Sequence, residues 1–349
     1  MKSTLILRSA RNLIMQELLS FLPRPNSDRV LGCGMNHSVV IRDGIPYACG
    51  SNAMKQLGVK DERVSSSLIQ MELQTSVKVA STFCISSTTL LLLEDGRVFR
   101  TGMYRDLAQM VLPAPALEMT ISESETVIVL QNGSLDTHRT NVAPLSQVHS
   151  LVTLNLGAVA VSSTLKRTYV LLLDGSVYQV SPCHEMGEHQ KINLPSNVVK
   201  LASGTRHTLF LLDDGRVYGL GTRYGGRLGS VPYSWDMSLV SEDLDQMILP
   251  LKAVSVACGQ YSSLVLLEDG SVWGCGGNTY GQLGNDDGVD IYIPVNLELP
   301  SPVTSISSGL YHSLFLLENG DFYSCGLNKK GVLGVGLAYV VNLPPTRMV

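Results

Sequence analysis

The chain has 349 residues, 44% apolar and 16% charged, which is ample for a sizeable core. Lys and Arg number 26 against 30 Asp and Glu, a formal charge of −4, and no run of about five like charges occurs, which argues against nucleic acid as the main partner. Apolar runs such as Leu90 to Leu93 fall far short of the roughly 18 residues that span a bilayer, so no membrane association is expected.

Residues 1–29 come first. Ser3-Thr4-Leu5-Ile6-Leu7, Gln16-Glu17-Leu18, Pro23 and Pro25 read as a worn half-repeat of two strands. Lys2, Arg8 and Arg11, with no acid before Glu17, also fit a transit peptide, which is the lesser reading beside the strand formed by Leu5-Ile6-Leu7.

From about residue 30 to residue 349 a unit recurs: apolar run, Gly, His or Ser, apolar run, acidic-Gly or Asn-Gly turn, aromatic, Gly. The turn glycines are Gly44, Gly96, Gly133, Gly175, Gly215, Gly270 and Gly320, which makes seven copies. Copies three and four are short and degenerate: Asp136 and Arg139 stand where an aromatic and a Gly are expected, and Ser181 replaces the Gly after Tyr178. The clearest copy runs from Val254 to Gly284. Val254 to Ala257 and Ser262 to Leu267 are two strands, and Ser271 to Cys275 returns through Asp269-Gly270, a two-residue hairpin signal with positive φ at both central positions. A fourth strand follows the Gly-rich bend, and no helical period intervenes. A stretch at 230–250, after the fifth copy, reads as an insertion carrying Trp235, whereas Trp273 takes the repeat aromatic position and is expected in the core.

The expected fold is therefore all-β: a seven-bladed β-propeller of four-stranded blades forming one domain over 1–349. The segment 1–29 is expected to close the ring beside the seventh blade, because an open strand edge invites pairing with other chains.

Five of the seven cysteines, Cys33, Cys49, Cys258, Cys275 and Cys325, fall at repeat positions, which fits small apolar side chains packed between blades in a reducing compartment, cytoplasm or nucleus.

The pattern is carried in the last copy by Gly309, His312, Ser313, Gly320, Tyr323, Gly326, Asn328, Gly331, Leu333 and Gly334, and near the start by Gly34, His37, Ser38, Gly44, Tyr47, Gly50, Asn52, Gln56, Leu57 and Gly58. It resembles the regulator of chromosome condensation repeat family, whose members form seven-bladed β-propellers. In size the chain is similar to the small members of the α-tubulin suppressor type, which act as cytosolic partners in translation-related modification. The resemblance also implies a second activity, guanine-nucleotide exchange on a Ran-like small GTPase. The exchange-active member has acidic residues just before the repeat His, and a β-wedge. Here Asn36, Arg206 and Tyr311 precede His37, His207 and His312, and Tyr261 precedes Ser262; none is acidic.

His37, His207 and His312 share one repeat position and read as structural hydrogen-bonding groups rather than metal ligands. Cys183, His184 and His189 bring soft ligands together without the second half a zinc site needs. G-x-x-x-x-G-K-[ST], H-E-x-x-H and G-x-S-x-G are all absent, so no catalytic, metal or cofactor site is expected.

Chemistry is left to the loops joining first to second strands, which converge on one face. They offer Asn36, Phe83, Glu123, Glu125, Lys166, Arg167, Arg206, Tyr261 and Tyr311 as partner-binding residues, with Trp235 as a second candidate. Phe83 equally fits a plug in the central channel. The expected function is a non-catalytic interaction propeller, monomeric or in a heterocomplex, that docks a partner protein in a translation-related modification or cytoskeletal complex. The alternative is a guanine-nucleotide exchange factor for a Ran-like GTPase.

Overall fold

The runs TTLLLL, ETVIVL, HTLFLL and SSLVLL are buried along their whole length, without the alternation of a half-exposed strand. Both faces of such a strand must be covered, and in this protein neighbouring blades cover them. The computed structural model describes residues 30–60, 64–122, 125–139, 157–165, 167–180, 189–230, 240–285, 287–338 and 340–349. It shows seven antiparallel sheets, six of four strands and the third of three among the described residues. In each, a buried second strand lies between an inner strand and a third.

The inner strands are Leu31–Cys33, Val79–Ile85, Ala116–Ile121, Ala158–Ser163, Val198–Ser203, Ala253–Cys258 and Val303–Ser308. Each touches the next, and the last touches the first, so the ring is closed. The core is a set of apolar layers between blades. Tyr169 and Phe210, from blades four and five, meet edge to face at 5.6 Å in one of them, and Leu31, Cys33, Val40, Cys49, Leu314, Phe322 and Met348 join blades one and seven. The only helical element among the described residues is a 3-10 turn at Lys329–Gly331.

The hairpins differ from the sequence expectation. Only blade one has the two-residue turn with both central φ positive, Asp43 at 55° and Gly44 at 82°. The other six are type I turns followed by a left-handed Gly: in blade six, Gly270 N–H donates to Leu267 O and Leu267 N–H to Ser271 O. One extra residue forms a bulge, so only the Gly needs positive φ. The turn carbonyl then accepts the first N–H of the next inner strand, as in Val79 to Gly44, Ala253 to Gly215 and Val303 to Gly270.

Residues 1–29, expected to close the ring, lie outside the described residues. The outer place in the seventh sheet is held instead by Val340–Arg347, paired to Phe322–Asn328. This segment also reaches blade one, where Leu68 N–H donates to Val349 O and Gly336 N–H to Ser66 O, both at 2.8 Å. Val240–Gln246, read as insertion, is the outer strand of blade five. Trp273 is half-buried and packs against the apolar layer between blades five and six.

Candidate functional site

In each G-x-x-H loop the imidazole lies against the Gly. A Cβ on Gly34 or Gly204 would collide with the ring of His37 or His207, and one on Gly309 would lie 2.8 Å from Cε1 of His312. The ring is thereby aimed at the neighbouring blade. Nε2 of His37 meets Thr89 Oγ1 at 2.9 Å, that of His207 meets Ser263 Oγ at 3.0 Å, and that of His312 meets Ser38 Oγ at 2.9 Å. Each hydroxyl spends its single proton on a backbone carbonyl, of Gln56, Arg227 and Val332 respectively. It must therefore accept from the ring, which fixes the neutral Nε2–H tautomer. The Nδ1 atoms of His37 and His207 are buried without a partner. Burial pushes the pKa of His37 and His207 down to about 3 and that of His312 to about 4. These histidines are clasps between blades, as the repeat position implied.

In blades three and four both the ring and the Gly are missing, whereas blade six keeps Gly259 with Ser262 at the His position. Glu125 and Arg167 take the His position in blades three and four, and Ser122 and Thr164 take the Gly position. The hydroxyls of Ser122 and Thr164 accept the N–H of Glu125 and Arg167 at 3.2 and 3.0 Å, closing the loop by a local bond.

The first-to-second-strand loops share a rim with the third-to-fourth connections. Thr222 N–H donates to Arg206 O, Gly277 N–H to Tyr261 O, and Leu327 N–H to Tyr311 O. The Gly after the repeat aromatic permits this approach: Gly221 has φ 124°, and a Cβ there would strike the Arg206 carbonyl. Arg206 is exposed, and Asn36, Tyr261 and Tyr311 are half-buried on this rim.

Other candidates fall elsewhere. Phe83 lies within its inner strand and faces an axial cavity of about 330 Å³ lined by all seven blades, so it belongs to the channel rather than a loop. Glu125 is buried, at 8% exposure, and is not available as a surface contact. Arg167 is half-buried at the His position. Glu123, Lys166, Trp235, Cys183 and His184 lie outside the described residues.

Arg206, Tyr261 and Tyr311 share this rim with residues absent from the sequence-based list. Arg227, 2% exposed, has its guanidinium 5.6 Å from the Tyr224 ring centre and 5.3 Å from that of Tyr261. Its Nε donates to Tyr224 O at 2.8 Å. Burial lowers its pKa to about 10, with Arg206 adding like-charge repulsion. Tyr280 packs on Tyr311 with ring centres 4.6 Å apart. A signal for Arg227 was the repeat register, in which it aligns with Gln56 and Gln282.

The cysteines follow expectation. All six described are unbridged, and burial pushes the thiols of Cys49, Cys84, Cys258 and Cys325 to about 12, which leaves them inert as nucleophiles. Among the described residues no three His, Cys, Asp or Glu side chains are grouped to hold a metal ion.

A closed ring of seven sheets, clasped blade to blade and presenting aromatic and guanidinium groups on one rim, defines a β-propeller of the glycine-comb repeat type. The regulator of chromosome condensation repeat matches residues 269–316 in one form and 198–222, 253–282 and 303–332 in another, so the chain carries repeats of that family. It is 23% identical over 277 residues to the mouse (Mus musculus) regulator of chromosome condensation, covering 76% of this chain and 50% of that protein. The Xenopus laevis counterpart is 25% identical over 276 residues, with the same coverage, so the chain spans about half the length of these curated relatives. Among solved structures, yeast RCC1 (Prp20) bound to Kap60 superimposes with a TM-score of 0.75 at 17% identity, over 93% of this chain and 86% of that one. Human WBSCR16 gives 0.69 at 14% identity, over 82% and 86%.

Proposed function

We propose that the protein is a non-catalytic interaction propeller that docks a partner protein on the rim of blades five to seven. The observation carrying this reading is the group Arg206, Tyr224, Arg227, Tyr261, Tyr280 and Tyr311, which offers flat apolar area with hydrogen-bonding tips where three blades meet. The clasp histidines are neutral and committed to bonds between blades, which leaves them unsuited to acid–base chemistry near neutral pH.

Replacing Arg206, Tyr261 and Tyr311 together by Ala is expected to abolish capture of the partner that affinity purification and mass spectrometry identify. Truncating one hot-spot residue commonly costs about 2 kcal/mol or more of binding. The melting temperature should move by only a few degrees. Capture that survives the triple change but is lost with Trp235→Ala moves the binding face to the stretch after blade five.

Exchange on a Ran-like GTPase is the second reading, favoured by the likeness to regulators of chromosome condensation. The residues before the clasp position, Asn36, Arg206, Tyr261 and Tyr311, carry no carboxylate, so no acceleration of mant-GDP release from a Ran-type GTPase is expected. A large, saturable acceleration would replace the docking reading.

A further inference from the structure

The seven inner strands meet around the axis with unequal side chains. At the position of Phe83 the other six carry Gly32, Thr120, Ser162, Ala202, Ala257 and Ser307, each in the same register with its own second strand. One phenyl ring and six small groups do not fill the centre, and the shortfall is the axial cavity of about 330 Å³. Its lining runs from Met35, 44% exposed, and the half-buried Tyr311 down to Lys200, so it opens on the rim of first-to-second-strand loops.

Much of the wall's hydrogen-bonding capacity is spent within the wall. Thr82, Ser122 and Thr164 donate to Leu90 O, Glu125 O and Arg167 O at 3.1, 3.3 and 3.1 Å. Ser163 and Ser203 bond to the hydroxyls of Thr168 and Thr208, at 2.9 Å each. Among the described lining residues there is no carboxylate, and the one cation, Lys200 at the deep end, donates to Ser255 Oγ at 2.9 Å. The backbone at the mouth is paired from blade to blade as well: Met35 N–H donates to Ser86 O, Leu165 N–H to Thr205 O and Gln260 N–H to Gly309 O. What borders the space is largely apolar, with Phe83, Ile85, Leu165, Ala202, Ala257 and Leu310 each half-buried along it.

We propose that the axial cavity is a binding site for a small, uncharged, largely apolar molecule that enters from the rim. An apolar cavity of about 150 Å³ takes one benzene, and ligand sites run from about 300 to 1,000 Å³, so this volume suits about two or three linked or fused rings. The rings lie on Phe83 and the aliphatic wall, and the hydroxyls of Thr205 and Ser307, which line the cavity, can meet one neutral polar group. An ion would exchange water for walls whose donors and acceptors are largely committed, which is costly. A peptide segment threaded into the mouth would bring N–H and C=O groups to a backbone already paired from blade to blade.

The test titrates the full chain with N-phenylnaphthylamine, an uncharged fluorophore of a naphthyl and a phenyl ring, and with anilinonaphthalenesulfonate, the same frame bearing an anion. The uncharged probe is expected to bind saturably at one site per chain, at least about fivefold more tightly than the sulfonate. Ala202→Leu and Ala257→Leu extend side chains into the cavity at the level of Phe83, and each should weaken the uncharged probe at least about fivefold while the protein still melts cooperatively. Ser307→Leu, at the same level on blade seven, supplies the same readout if either of those variants does not fold. Ile248→Ser combined with Leu251→Ser alters an exposed apolar groove at the hairpin end of blade five and should change binding by less than about twofold. Absence of saturable binding, tighter binding of the sulfonate, indifference to the leucine variants, or loss of binding with the Ile248 and Leu251 changes overturns the assignment.

Discussion

Taking the protein from pH 7 to pH 5 is expected to remove about 6 kcal/mol of folding stability, roughly 2 kcal/mol from each clasp histidine. The unfolded side chains titrate near 6.5, whereas burial holds His37 and His207 at about 3 and His312 at about 4 in the folded ring. Between those values the unfolded chain binds more protons than the native state. The contribution is therefore complete above about pH 6.5 and is lost as pH falls toward 3 to 4. Net stabilities of about 5–15 kcal/mol leave little reserve against such a loss, so cooperative unfolding is expected between about pH 5 and pH 4. Thermal melts at pH 7, 6 and 5 measure it directly. A melting temperature that stays constant over this range would rule out neutral, buried clasps. Replacing the three histidines by Gln, whose side-chain amide can still donate to Thr89, Ser263 and Ser38, should lower stability at pH 7 but flatten the profile above pH 5.

Deleting residues 340–349 is expected to prevent formation of a stable monomeric ring. The deletion removes the outer strand of blade seven and exposes the ladder edge of Phe322–Asn328. It also removes Met348, 5% exposed in the layer between blades one and seven, and the bond from Leu68 N–H to Val349 O. Losing a buried Met side chain alone costs about 2–5 kcal/mol, and an uncovered strand edge templates association. Size-exclusion chromatography should show aggregate in place of monomer. Met348→Ala in the full chain, which keeps the strand, should stay monomeric with a clearly lowered melting temperature. A truncated protein that melts like the parent would move closure to another segment.

The ring was legible because its determinants are local. A turn Gly, a Gly under an imidazole and a Gly under a carbonyl are each imposed within a few residues, and they recur at Gly44, Gly34 and Gly50 in blade one and at Gly320, Gly309 and Gly326 in blade seven. What escaped depends on contacts distant in sequence. Val240–Gln246 and Val340–Arg347 are outer strands, and the first, VSEDLDQ, carries almost no apolar signal of its own. The one-residue difference between blade one's turn and the others lies in register, which an Asp-Gly pair does not specify. Arg227 reads as a polar loop residue until the ring brings Tyr261 of the next blade over it. Glu125 looked like a loop contact because its blade lacks the Gly and His that mark the position.

The clasps are unevenly spaced around the circle. Histidine bonds span the junctions between blades seven and one, one and two, and five and six, and Ser262 with Ser308 spans six and seven at 3.3 Å. Thr88, Glu125 and Arg167 stand at the corresponding positions of blades two, three and four, so that arc is held without the imidazole fastening. The imidazole bonds are accordingly confined, among the described residues, to the arc that runs from blade five round to blade two. Blades three and four, the degenerate copies of the repeat, fall on the arc that has Glu125 and Arg167 in place of the imidazole, so departure from the repeat pattern and loss of the clasp coincide.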